Sequence, residues 1–86
     1  MATQASGKVS QIFVNDNLAL FRLSDLPTTS KPRNSNFEIQ KSDPNYNALY
    51  SLALSAAINR YTLRVTTKST IKSTENAIVK QLWVNW

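Results

Sequence analysis

The chain has 86 residues with no cysteine and no histidine, and its ten Lys plus Arg against five Asp plus Glu leave a net charge of +5. That length makes one small domain, residues 1–86, which buries a modest share of its unfolded surface and gains from partner subunits. The missing cysteines exclude a disulfide framework and a thiolate metal site, and the missing histidines remove the commonest general base and metal ligand, so the expectation is a non-enzyme without cofactor or metal.

From Pro44 onward the basic residues Arg60, Arg64, Lys68, Lys72 and Lys80 face the single acid Glu75. A surface of this sign attracts phosphates, acidic sugars or anionic headgroups, and it also serves plain solubility. No apolar run is long enough to span a bilayer, and residues 1–6 lack the apolar core of a signal peptide. No membrane insertion is expected. Two locations fit: the cytoplasm, or a secreted or periplasmic setting in which a signal peptide has been removed.

Residues 1–6 read as a flexible tail. Gly7 to Val14 and Leu18 to Leu23 are β-rich runs separated by Asn15-Asp16-Asn17, residues that tolerate turn conformations and bond their own backbone, which predicts a hairpin. Ser24 to Asn36 holds Pro27, Pro32 and several Ser and Thr residues with Lys31 and Arg33, and should be an exposed loop. Asn36 to Gln40 alternates as a third strand with Phe37 and Ile39 turned inward.

Asp43-Pro44 suits a helix N-cap followed by proline at the first helical position. Tyr46, Leu49, Tyr50, Ala53 and Ala57 then recur at spacings of three and four, giving an amphipathic helix closed by Asn59-Arg60. Leu52, Leu54 and Ile58 lie off the centre of that stripe and are candidates for a subunit interface, or for cover by the end of a small barrel. Tyr61, Leu63 and Val65 alternate with polar residues as a fourth strand. A hydrophilic turn over Thr67 to Asn76 leads into a fifth, Ala77 to Trp86.

The first and last strands share a pattern: Val9-Ser10-Gln11-Ile12-Phe13-Val14 is echoed by Val79-Lys80-Gln81-Leu82-Trp83-Val84. Strict alternation puts Val9 and Ile12 on opposite faces unless one extra residue intervenes, so a β-bulge is expected near Gln11 and another near Gln81. Val9, Ile12 and Val14 then share the inner face with Val79, Leu82 and Val84, while Phe13 and Trp83 point outward as candidates for a ligand surface or subunit contact.

Five strands with a helix between the third and fourth is the order of the OB-fold, a mainly β, five-stranded Greek-key barrel used for oligonucleotide and oligosaccharide binding. The arrangement of Gly7-Lys8-Val9 with Ile12, Phe37, the Tyr46-x-x-Leu49-Tyr50 helix, Leu63-x-Val65 and the closing Leu82-x-Val84 resembles the small OB-fold B subunits of bacterial AB-type toxins, especially the subtilase-cytotoxin-like and pertussis-like branch. The resemblance spans roughly residues 7–86. It implies a lectin-like, ring-forming homo-oligomer, a pentamer, with helices lining a central pore, a cell-surface glycan as ligand and an A-type partner subunit. The chain departs from that pattern in having no cysteine.

Two functional expectations follow. In the first, Trp83, with Phe13 and Trp86, stacks on a sugar ring while Arg64, Lys80 or loop Asn and Ser residues bond its hydroxyls or carboxylate. In the second, Arg22, Lys31, Arg33, Arg64 and Lys80 line an electrostatic groove for single-stranded nucleic acid and the same aromatics stack on bases. A structural assembly subunit without a small ligand is the third class.

Overall fold

The computed structural model describes residues 2–85. Its elements are β1 (Gln4–Val14), β2 (Leu18–Leu23), β3 (Asn36–Gln40), α1 (Tyr46–Asn59), β4 (Thr62–Thr67) and β5 (Ala77–Val84), with two short 3-10 turns, Thr28–Ser30 and Arg33–Ser35, between β2 and β3. The protein is mainly β, with its helix between β3 and β4. Strand pairing runs β1-β2-β3-β5-β4 and closes on itself as a barrel, all neighbours antiparallel except β3 with β5. No helix among the described residues is long and apolar enough to cross a membrane.

Both bulges are present. In β1, Val9 pairs with Leu23 and Gln11 with Arg22, leaving Ser10 as the extra residue. In β5, Thr66 pairs with Gln81 and Thr67 with Val79, leaving Lys80. Each insertion reverses the side-chain parity, so Val9 and Ile12 both pack on the core, as do Val79, Leu82 and Val84. Val14 has the inner register, opposite Ala19, yet is 47% exposed at the end of its strand, so the expected burial of Val14 does not hold.

The core is built around Phe21 and Phe37, cross-strand partners whose rings stack with centroids 5.4 Å apart, together with Leu23, Ile39, Leu63, Val65 and Val79. Gly7 lies where β1 passes the end of β2. A Cβ there would sit 2.8 Å from the Ser24 carbonyl oxygen, so this position requires glycine's close approach. The β1–β2 turn forms as its residues dictate: the Asn15 side-chain oxygen accepts from the amides of Asn17 and Leu18 at 2.8 and 3.0 Å.

α1 packs against β1, β3, β4 and β5 through Leu49, Ala53 and Ala56, with Tyr46, Tyr50 and Leu52 partly buried beside them. The buried alanine is thus Ala56 where Ala57 was expected, because the helix rotates to seat its small residues on the barrel. Leu52 is likewise half-buried against the core and leaves the proposed outer face, whereas Leu54 and Ile58 are exposed, Ile58 by 72%. The regular helix starts at Tyr46 rather than Pro44. Asp43 instead forms a lead-in turn, its carboxylate accepting from the Asn45 amide at 2.8 Å and its carbonyl from the Tyr46 amide at 3.0 Å. The same carboxylate meets Lys68 Nζ at 3.5 Å, tying the helix entrance to the β4–β5 connection.

Three segments expected to be peripheral are structural. Gln4, Ala5 and Ser6 pair with Thr66, Val65 and Arg64, so the supposed tail is β1 from Gln4 onward. In the β2–β3 loop Ser30 and Pro32 are buried and Leu26 packs on the core. Ile71, in the hydrophilic β4–β5 connection, is buried, and its amide bonds the Ala2 carbonyl at 2.8 Å.

Candidate functional site

The outer surface of the sheet divides at the β1 bulge into two faces, and each carries one outward aromatic. On the first face, the N-terminal half of β1, β4 and β5 lie side by side. Ser6 pairs with Arg64 and Arg64 with Trp83, so hydroxyl, guanidinium and indole form one row across three strands. The next row is Gln4, Thr66 and Gln81, with the Gln81 amide nitrogen 3.5 Å from the Thr66 hydroxyl. Pro27 and Ser30 of the β2–β3 loop complete a recess of about 210 Å³ with Gln4, Ala5, Ser6, Arg64 and Trp83. Trp83 is half-buried in this row.

Strands β1, β4 and β5 together contain Lys8, Arg64 and Lys80 and no carboxylate. Among the described residues the single ion pair within 4 Å is Lys68–Asp43, which includes no residue of these two rows. The first face is therefore cationic and rich in hydroxyls and amides. A flat indole beside a guanidinium and hydroxyls offers what a polyol needs, an apolar platform for its C–H face and directional donors and acceptors at its rim.

On the second face, the C-terminal half of β1, β2 and β3 present Gln11, Arg22 and Asn36 in one row and Phe13, Leu20 and Glu38 in the next. Arg22 Nε donates to Asn36 Oδ1 at 3.1 Å, which ties the guanidinium to its cross-strand neighbour. Glu38 accepts from Gln40 at 3.3 Å and from Asn76 at 3.4 Å. Phe13, 48% exposed, and Leu20 form an apolar ridge over a recess of about 220 Å³.

Of the residues singled out in the sequence, the structure brings Trp83 and Arg64 into contact range across a strand pair and places Phe13 on the other face. Phe13 and Trp83 therefore lie on different faces, because β1 belongs to both halves of the barrel. Lys80, the extra residue of the β5 bulge, is exposed and does not line the Trp83 recess. Trp86 lies outside the described residues. Sequence reasoning missed Gln4 and Ser6, assigned to a tail, and Pro27 and Ser30, assigned to an exposed loop. The Ser6–Arg64 pairing spans most of the chain and leaves no local signal.

No group of three or more His, Cys, Asp or Glu side chains among the described residues is arranged to hold a metal ion. The molecule belongs to the class of small mainly β domains in which strands close around one core with a helix across them. Comparison with protein-family patterns, curated proteins and solved structures returns no match to this chain.

Proposed function

We propose that this protein is a non-enzymatic, glycan-binding subunit with an OB-fold that assembles into a homo-oligomeric ring, as the toxin B subunits it resembles do. The strand order β1-β2-β3-β5-β4, with β3 and β5 parallel and the helix between β3 and β4, supports the fold assignment. The observation that carries the function is the Ser6–Arg64–Trp83 row beneath Pro27 and Ser30. In this reading Trp83 is the stacking platform, Arg64 and Ser6 bond ring hydroxyls or a carboxylate, and Ser30 and Gln4 border the recess. The exposed Leu54 and Ile58 of α1 and the apolar ridge at Phe13 are the surfaces a neighbouring subunit would cover.

The test is a glycan-array screen of the purified protein, sized by light scattering, alongside Trp83→Ala and Arg64→Ala. A defined glycan signal lost in both variants, each still unfolding cooperatively, is the expected result. A blank array from a folded oligomer, or a signal indifferent to both substitutions, refutes the proposal. The acid-free strands β1, β4 and β5 favour single-stranded nucleic acid as a second reading. Binding of an oligonucleotide that weakens steeply with salt would select it, since phosphate contacts release counterions and sugar stacking does not.

A further inference from the structure

A polar cleft of about 510 Å³ lies where β1 passes between the end of β2 and the end of α1, lined by Ser6, Lys8, Ser10, Ser24, Asp25, Arg60 and Thr62 together with Gly7 and Val9. It shares Ser6 with the Trp83 recess and is otherwise separate from it. Its lining residues carry two side-chain cations, four hydroxyls and one carboxylate, a donor-rich set in a chain where most carboxylates lie elsewhere.

The backbone supplies a second, independent observation. Arg60 closes α1 in the left-handed region, at φ 57° and ψ 34°. The Tyr61 amide bonds the Ala56 carbonyl at 3.0 Å and the Arg60 amide reaches the Ala57 carbonyl at 3.4 Å, the bonding of a Schellman motif. Glycine is the residue that motif favours at Arg60's position, because a Cβ is strained there. Asp25, which lines the same cleft, is also left-handed at φ 58°. Arg60 thus places a guanidinium where glycine would fold better; the other left-handed residues, Asn34 and Ser35, lie in the β2–β3 loop away from the cleft.

The C-terminal end of α1 carries a partial negative charge that the full charges of Lys8 and Arg60 offset. Of its last four carbonyls the motif occupies those of Ala56 and Ala57. A guanidinium fork and an ammonium surrounded by hydroxyls suit a tetrahedral oxyanion. Asp25 repels a bare ion but accepts from hydroxyls, which favours an oxyanion carried on a polyol.

We infer that this cleft binds a phosphate or sulfate ester of a small polyol, with Lys8 and Arg60 on the oxyanion and Asp25 on a neighbouring hydroxyl. This site does not depend on the saccharide reading of the Trp83 recess. The experiment is a titration of the isotopically labelled full chain with glucose 6-phosphate, glucose 6-sulfate, glucose and inorganic phosphate, followed by amide chemical shifts. Saturable shifts at residues 6–10, 24–25 and 60–62 are expected with one or both esters and not with glucose, and the responding ester identifies the oxyanion.

Lys8→Gln should weaken ester binding at least about tenfold, the scale of one charge-assisted hydrogen bond. Arg60→Gly should weaken it similarly while raising the melting temperature, a pairing that a merely structural arginine would not give. Asp25→Asn should narrow the preference for ester over inorganic phosphate. The inference is overturned by absence of saturable shifts up to tens of millimolar, by shifts spread over all the cations and reproduced by chloride, or by an Arg60→Gly protein that binds the ester as before.

Discussion

The two outer faces that meet at the β1 bulge are built from the same kinds of strand and differ in what surrounds their aromatic. Trp83 stands beside Arg64, Ser6 and a loop hydroxyl, on strands without a carboxylate. Phe13 stands beside Leu20, on a face where Arg22 is committed to Asn36 and Glu38 supplies a compensating negative charge. The bulge determines that each aromatic points outward; the cross-strand partner determines what it can hold. An indole among donors suits a hydroxylated ligand, whereas a phenyl next to leucine suits an apolar subunit contact.

The harshest way to break the comparison is to insert one alanine between Gln11 and Ile12. The added residue lies beyond the bulge, so it turns Ile12 outward and Phe13 inward and erases the second face. The loss should exceed the roughly 3–5 kcal/mol of a large core truncation, so denaturant melts should show no cooperative transition. A protein that still unfolds cooperatively would show that the strand absorbs the added residue without losing its register.

Gly7→Ala acts at the seam between the faces. Its new Cβ meets the Ser24 carbonyl oxygen, backbone that cannot swing away, and should destabilise by roughly 1–3 kcal/mol in urea titrations. An unchanged midpoint would mean that the β1–β2 crossing relaxes freely.

Smallest in stability and most discriminating between the faces is the pair Phe13→Ser and Ile58→Lys. Both are exposed, so each should move stability by no more than about 0.5 kcal/mol. Light scattering should nonetheless report a smaller particle if either surface is covered by a neighbouring subunit. Oligomer size indifferent to both would remove these surfaces from the assembly.

Much of the architecture was legible in the sequence because local chemistry carried it. Asn15 and Asn17 marked the hairpin, alternation marked β3 and β4, and the Val-x-Gln echo located both bulges, since a break in parity within one strand has a single structural remedy. The site was less legible. Ser6 and Gln4 have no periodic partner in their own segment and acquire meaning only by pairing with β4, and Ser30 is recruited from a loop whose composition suggested exposure. Helix rotation escaped as well: Ala56 and Ala57 are equivalent to a pattern, and only the barrel surface chooses between them.

By itself, then, the sequence determined the kinds of element, their order and the outward direction of Phe13 and Trp83, because periodicity, turn residues and bulges act over a few neighbouring positions. Closure of the barrel decided everything that depends on distant segments. It set Ser6, Arg64 and Trp83 in one row, separated Phe13 from them, buried Pro32 and Ile71 inside polar loops, and put Lys8 and Arg60 on one cleft, because which strands share hydrogen bonds is settled by packing one core.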